Sequence, residues 1–100
     1  MVRVGLSVRL VAKPGKEEEV AAFLASALPL ARSEKGTVVW FALRFDQREF
    51  GIFDAFEAGE DRAAHLEGPI AAALMSRAAE LFDEPPRIQP VDVLAAKLTG

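Results

Sequence analysis

The chain contains no cysteine, no tyrosine and no asparagine among its 100 residues. The lack of cysteine excludes disulfides, thiolate nucleophiles and thiolate metal ligands, and it fits the reducing cytoplasm, where we expect the protein. The basic residues form no run, which argues against nucleic acid as a partner. No stretch approaches the roughly 20 apolar residues of a membrane helix. The N-terminal residues lack the long apolar core of a signal peptide.

The chain is nevertheless rich in material for a core, since 51% of its residues are hydrophobic. A length of this order predicts a single domain that covers residues 1–100. A domain so small leaves much of its surface in water. A high apolar fraction in a short chain therefore indicates a second buried surface, such as a subunit interface.

The periodicity of apolar residues predicts the element order β-α-β-β-α-β. Alternating or β-branched segments predict strands over residues 2–12, 37–45, 49–57 and 87–97. Apolar stripes at helical spacing predict a helix over residues 16–32, bent near Pro29, and a helix over residues 60–82 that is broken at Gly68-Pro69. This order is that of a ferredoxin-like α+β fold, an antiparallel sheet with helices on one face.

The strands of the predicted hairpin carry large apolar groups on both faces. Phe41, Leu43 and Phe45 cannot lie on the same side as Trp40, because successive side chains of a strand alternate. Two helices can cover one face of a four-stranded sheet, and the other would be an apolar patch larger than monomers usually tolerate. The sequence therefore predicts a homodimer that pairs through its sheet faces.

Several features recur in order along the whole chain. They are the turn Lys13-Pro14-Gly15-Lys16 with the acidic run after it, Gly36 opening a strand with Trp40, the strand from Phe50 to Glu57, and Ala64-His65-Leu66 before Gly68-Pro69. In this order they resemble the antibiotic biosynthesis monooxygenase family, within the dimeric α+β barrel group. The resemblance implies a ferredoxin-like fold and a homodimer formed by two sheets face to face.

The resemblance also implies an activity. Relatives that oxidise aromatic polyketides need no metal or flavin, so the resemblance implies a monooxygenase without a cofactor. Its expected substrate is a small aromatic or polyketide-like molecule bound between sheet and helices. Members with established chemistry place Asn, Trp and Tyr around the substrate, and here only Trp40 matches. Haem degradation is disfavoured, because Leu74-Met75 stand near the position of the haem-ligand histidine. The alternative is a non-catalytic homodimer of the same fold that binds a small apolar or aromatic ligand or interacts with another protein.

Two residues are the candidate catalytic groups. His65 is the only histidine and is a natural proton donor or acceptor near neutral pH. Its structural alternative is a partly buried ring that braces the break at Gly68-Pro69. Asp54 shares a strand face with apolar residues, where a carboxylate is costly unless it is paired. Asp54 either holds His65 or the substrate, or it forms a structural pair with Arg44 or with a backbone amide.

Five further residues are candidates for substrate binding. Trp40 can stack on a planar ligand, although an indole is equally an ordinary core residue. Ser7 stands where small side chains leave room for a ligand or for a neighbouring strand. Phe56, Leu74 and Met75 are candidate apolar walls, with helix core as the usual role of the last two. No Ser-His-Asp arrangement, phosphate loop or metal-ligand cluster is visible in the sequence, so we expect no metal.

Overall fold

The computed structural model describes residues 1–99. Within them, four strands and four helices follow in the order β1 (Val4–Val11), α1 (Glu17–Ser26), α2 (Leu28–Ser33), β2 (Thr37–Arg44), β3 (Glu49–Phe56), α3 (Gly59–Leu66), α4 (Pro69–Leu81) and β4 (Arg87–Asp92). These strands form an antiparallel sheet in the order β2-β3-β1-β4. The predicted ferredoxin-like α+β fold is confirmed.

The core lies between the helices and one face of the sheet. Every second residue of β1 and β3 points to this face, because side chains alternate along a strand. The buried side chains that meet there come from both strands, from α1 and from α4: Val8, Leu10, Phe50, Ile52, Val20, Leu24, Leu74 and Leu81. The helices thus cover one face only, as the sequence predicted.

The other side of the sheet, called the open face below, carries no helix in the described part of the chain. Its residues include Ser7 and Arg9 of β1 together with Phe41 and Leu43 of β2. Phe41 is 55% exposed, and Phe45, just beyond β2, is 50% exposed. The guanidinium carbon of Arg9 lies 4.1 Å from the centre of the Phe45 ring. The apolar excess predicted for the second sheet face is therefore present.

Two predicted elements differ from the structure. The helix expected over residues 16–32 is divided at Ala27, with Pro29 in the first turn of α2, because a proline there lacks the N–H that a continuous helix needs. The strand expected over residues 87–97 is wrong beyond Asp92, because Asp92 pairs with Val4, the first residue of β1. One more backbone hydrogen bond follows, from the N–H of Val93 to the carbonyl oxygen of Arg3.

The helices are short. The 13 residues of α4 make it the longest helix within residues 1–99. Across that described range, none of the helices has the length and apolar character needed to cross a membrane.

Candidate functional site

His65 lies buried between two carboxylates. Its Nδ1 is 2.5 Å from Oε1 of Glu34, and its Nε2 is 3.1 Å from Oδ2 of Asp54. The side chains of His65 and Asp54 are 7% and 1% exposed, and that of Glu34 is 16% exposed. We call Glu34, His65 and Asp54 the His65 cluster.

Three separate elements bring the cluster together. Asp54 stands on the helix-facing side of β3, and α3 packs across β1, β2 and β3 so that His65 reaches it. Glu34 is the C-cap residue that directly follows α2, before the turn into β2. Thr37, the first residue of β2, donates its hydroxyl to Oε1 of Glu34 at 2.7 Å and fixes that carboxylate beside the imidazole.

The environment favours the charged form of His65. Burial lowers the pKa of His65, but hydrogen bonding to Asp54 and Glu34 and the charges of these carboxylates outweigh it, and they raise the pKa from 6.5 to about 8. At neutral pH the ring is therefore mostly an imidazolium, whose two N–H groups point at the two carboxylates. In that state neither ring nitrogen has a lone pair for a metal ion or for a substrate proton.

Three polar atoms near the cluster are buried and have no hydrogen-bond partner among residues 1–99: Oε2 of Glu34, Oδ1 of Asp54 and Nε1 of Trp40. Trp40 and Asp54 are directly opposite each other on β2 and β3. A buried polar atom without a hydrogen bond is costly and uncommon in folded proteins. These atoms are two hydrogen-bond acceptors and one donor, and of their residues Glu34 lines a cavity.

Two cavities lie on the helix-covered side of the sheet. The polar cavity has a volume of about 250 Å³ and is lined in part by Glu34, Thr37, His65 and Gly68. The apolar cavity has a volume of about 90 Å³ and lies among α1, α2, α4 and β3; its walls include Leu24, Ala27, Leu30, Ile52, Ile70 and Leu74. Trp40 packs against Ala27 and Ile70, so the indole adjoins the apolar cavity.

The site residues predicted from the sequence are not all close together. Phe56 is fully buried, and its ring centre lies 5.4 Å from that of His65. Leu74 is buried and lines the apolar cavity. Met75, the next residue of α4, is 57% exposed and points away from that core. Ser7 lines a depression of about 450 Å³ on the open face, on the opposite side of the sheet from His65.

Sequence reasoning missed Glu34 and Thr37. Glu34 lies in the polar stretch between α2 and β2, which has the composition of an ordinary surface turn. Nothing in the local pattern distinguishes its carboxylate from those of exposed neighbours. The pair suggested between Asp54 and Arg44 is absent, because Arg44 donates to Glu18 on α1 at 3.1 Å.

Across residues 1–99, no group of three or more His, Cys, Asp and Glu side chains is arranged to hold a metal ion. Within the His65 cluster, both nitrogens of the imidazole already face carboxylates, Nδ1 that of Glu34 and Nε2 that of Asp54.

Comparison with known proteins gives matches among solved structures. No family profile and no curated protein matches the chain. The crystal structure of NE2512 from Nitrosomonas europaea, a protein of unknown function, shares 57% identity, covers 100% of this chain and 97% of its own, and superposes with a TM-score of 0.98.

Two further solved structures carry the name of antibiotic biosynthesis monooxygenase as a candidate assignment. The one from Nitrosomonas europaea is 20% identical, covers 92% of this chain and 90% of its own, and has a TM-score of 0.81. The one from Chloroflexus aurantiacus is 18% identical, covers 98% and 99%, and has a TM-score of 0.75. At this identity the likeness establishes the fold, so the resemblance noted in the sequence is confirmed at that level.

Proposed function

We propose that this chain, which belongs to the same family as NE2512 of Nitrosomonas europaea, is a cofactor-independent monooxygenase for a small aromatic or polyketide-like molecule bound between sheet and helices. The observation that carries the proposal is the His65 cluster, an ionisable site buried beside Trp40 with three unpartnered polar atoms. The names of two proteins with the same fold point to the same chemistry.

The reaction needs dioxygen and no external reductant. An activated methylene group of the substrate becomes a carbonyl: two C–H bonds break, one oxygen atom forms the C=O bond, and the other leaves as water with the two hydrogens. The step that the protein has to assist is formation of the enolate or phenolate, which then reacts with dioxygen. The protein therefore has to accept a proton, stabilise the anion and exclude water.

The His65 cluster is suited to the first two tasks. The carboxylates of Asp54 and Glu34 each keep one oxygen free of protein partners and can accept a substrate proton. His65 is the positioning residue, since its imidazolium fixes both carboxylates and supplies positive charge beside the anion that forms. Trp40 provides a flat wall, and Phe56 and Leu74 keep the site apolar.

A specific observation favours the alternative, a binding protein without turnover. Both nitrogens of His65 already face carboxylates, so no free imidazole base is present in this arrangement. The chain also lacks the Asn and Tyr of the active relatives. In this alternative the same cavity holds a small apolar or aromatic ligand, and the cluster only orients it.

A homodimer through the open face is part of the proposal. Phe41, Leu43 and Phe45 expose 55%, 38% and 50% of their surface on that face. Buried apolar area contributes about 25 cal/mol per Å², so pairing two such faces favours association even after the entropy loss is subtracted. Leu94, which is 96% exposed beyond β4, would gain a partner in the same assembly.

Oxygen consumption separates the two functions. The protein is incubated with a panel of anthrones and hydroquinones while oxygen uptake and the carbonyl product are followed. A monooxygenase consumes about one O₂ per carbonyl formed, and Asp54→Asn slows turnover by about 100-fold, as expected for loss of a general base. Glu60→Gln, on the exposed first turn of α3, is the matched control and should keep the wild-type rate. Binding without oxygen uptake contradicts the proposal and supports the alternative.

A further inference from the structure

Trp40 and Asp54 are paired across the two strands of the hairpin. They are directly opposite each other on β2 and β3, and both side chains lie on the helix-covered side of the sheet. The Cβ atoms of such partners are about 5 Å apart. Asp54 is 1% exposed, and its Oδ1 and the Nε1 of Trp40 are both buried without a partner.

The two unpartnered atoms have opposite hydrogen-bonding character. The indole N–H of Trp40 can only donate, and a carboxylate oxygen of Asp54 can only accept. One ligand atom satisfies both only if it accepts one hydrogen bond and donates another. A hydroxyl does this, whereas an ether or ketone only accepts and an ammonium only donates.

The surroundings define the rest of the ligand. Trp40 packs against Ala27 and Ile70, and Ile52 stands two residues before Asp54 on the same strand face. These three neighbours all line the apolar cavity of about 90 Å³. That volume is smaller than the ~150 Å³ of a cavity known to hold benzene, so an aromatic ring must displace a wall residue. Leu30 lines this cavity and is 38% exposed, so it is the wall residue that we expect the ring to displace.

We propose that Trp40 and Asp54 form a subsite for a phenolic or enolic hydroxyl of an otherwise apolar ligand. The indole N–H donates to the hydroxyl oxygen, and the hydroxyl donates to Oδ1 of Asp54. His65 holds the other oxygen of Asp54 and so aims Oδ1 at the ligand. This inference rests on the proposed function for the location of the substrate, and it adds the functional group by which the substrate is recognised.

Three probes of similar size and different hydrogen bonding test the subsite. Phenol can accept and donate, anisole can only accept, and toluene can do neither. Each is titrated into the protein while the indole N–H resonance is followed by NMR, which is unambiguous because the chain has one tryptophan. Phenol should bind about tenfold more tightly than toluene, with anisole between them, and should move the Trp40 indole resonance most.

Two variants assign the two hydrogen bonds. Trp40→Phe keeps an aromatic wall without the donor, and calorimetry should show the preference for phenol over toluene falling several-fold. Asp54→Asn offers an amide N–H to the ligand, so the preference for phenol over anisole should shrink or reverse. If either variant fails to fold, the ranking of the three probes on the wild-type protein decides the question.

Other outcomes overturn the subsite. Equal binding of phenol and toluene means that a water molecule satisfies both atoms, and an indole resonance unmoved by phenol means that Trp40 donates elsewhere. The proposed monooxygenase function fails separately. If the protein prefers phenol but takes up no oxygen with anthrones, the subsite stands and the monooxygenase function is wrong. If it oxidises anthrones without preferring a hydroxyl group, the monooxygenase function stands and the subsite is wrong.

Discussion

Nε2 of His65 on α3 lies 3.1 Å from Oδ2 of Asp54 on β3. Both side chains are nearly inaccessible, at 7% and 1% exposure, and Glu34 closes the other side of the imidazole ring. A buried charge that loses its partner is strongly destabilising. A change in any member of the His65 cluster should therefore be detected both in the titration of His65 and in the stability of the fold.

Stability should fall as the pH rises from about 6 to 9. The pKa of His65 rises from its ordinary 6.5 to about 8 on folding, so the folded state holds this proton more tightly than the unfolded chain. The stabilising effect is complete below pH 6.5 and is lost as the pH rises through 8. Its size is about 2 kcal/mol. Urea unfolding at several pH values measures it, and His65→Gln should remove this part of the pH dependence.

Glu34→Gln should lower the pKa of His65 toward its ordinary value. The substitution removes the carboxylate 2.5 Å from Nδ1 while keeping the shape of the side chain. NMR of the single histidine reports the pKa directly. Glu60→Gln, in the first turn of the same helix as His65, is the control and should leave the titration unchanged. An unaltered pKa in Glu34→Gln would mean that the carboxylate does not face the ring in solution.

Asp54→Ala should destabilise the protein by about 3 kcal/mol, because it leaves His65 buried with one of its two charge partners missing. Asp54→Asn should cost less, since the amide keeps an oxygen toward Nε2 and leaves no cavity. Asp92→Ala, at the exposed end of β4, is the matched control with little expected change. Chemical denaturation compares the three, and equal stability of Asp54→Ala and Asp92→Ala would exclude the buried pair.

Gly5→Ala should destabilise the sheet beside the site. A Cβ at Gly5 would stand 2.6 Å from the backbone oxygen of Asp54, so β1 and β3 would have to separate. Overpacking of this kind costs about 1–3 kcal/mol. Gly59→Ala at the start of α3 is the control, because its Cβ meets no atom within 4 Å and the change should be neutral or slightly stabilising. Thermal unfolding of both variants measures the difference.

Phe41→Glu should abolish the proposed homodimer. The substitution places a charge on the open face. Burying that charge in a subunit interface would cost more free energy than the apolar contacts of the face contribute. Sedimentation at micromolar concentration should give about twice the chain mass for the wild type and the chain mass for the variant. Leu66→Glu is the control and should remain dimeric, because Leu66 is a 40% exposed apolar residue on α3, away from the open face. A monomeric wild-type protein would contradict the sheet-face pairing.

The sequence predicted the fold because its signals are local. Alternation in β1 and β3 and the helical stripe of α4 depend on neighbours within one element, and the structure has these elements within a few residues of the predicted bounds. A bend of the helix over residues 16–32 was predicted near Pro29 for the same reason, and the structure divides the helix nearby, at Ala27. The end of β4 at Asp92 was not predicted. It depends on where the neighbouring strand β1 begins, and the sequence of β4 itself carries no information on that position.

The residues around His65 and Asp54 could not all be predicted from local sequence patterns. Their chemistry made them candidates from the sequence alone, since each is an ionisable group among apolar residues. Glu34 was invisible there, because its role arises only where the end of α2 meets α3 above the sheet. Ser7 and Met75 are separated from His65 by the sheet and by the turn of α4, which spacing along the chain does not reveal. Periodicity determines which face of an element is apolar, whereas the packing of elements decides which polar atoms meet.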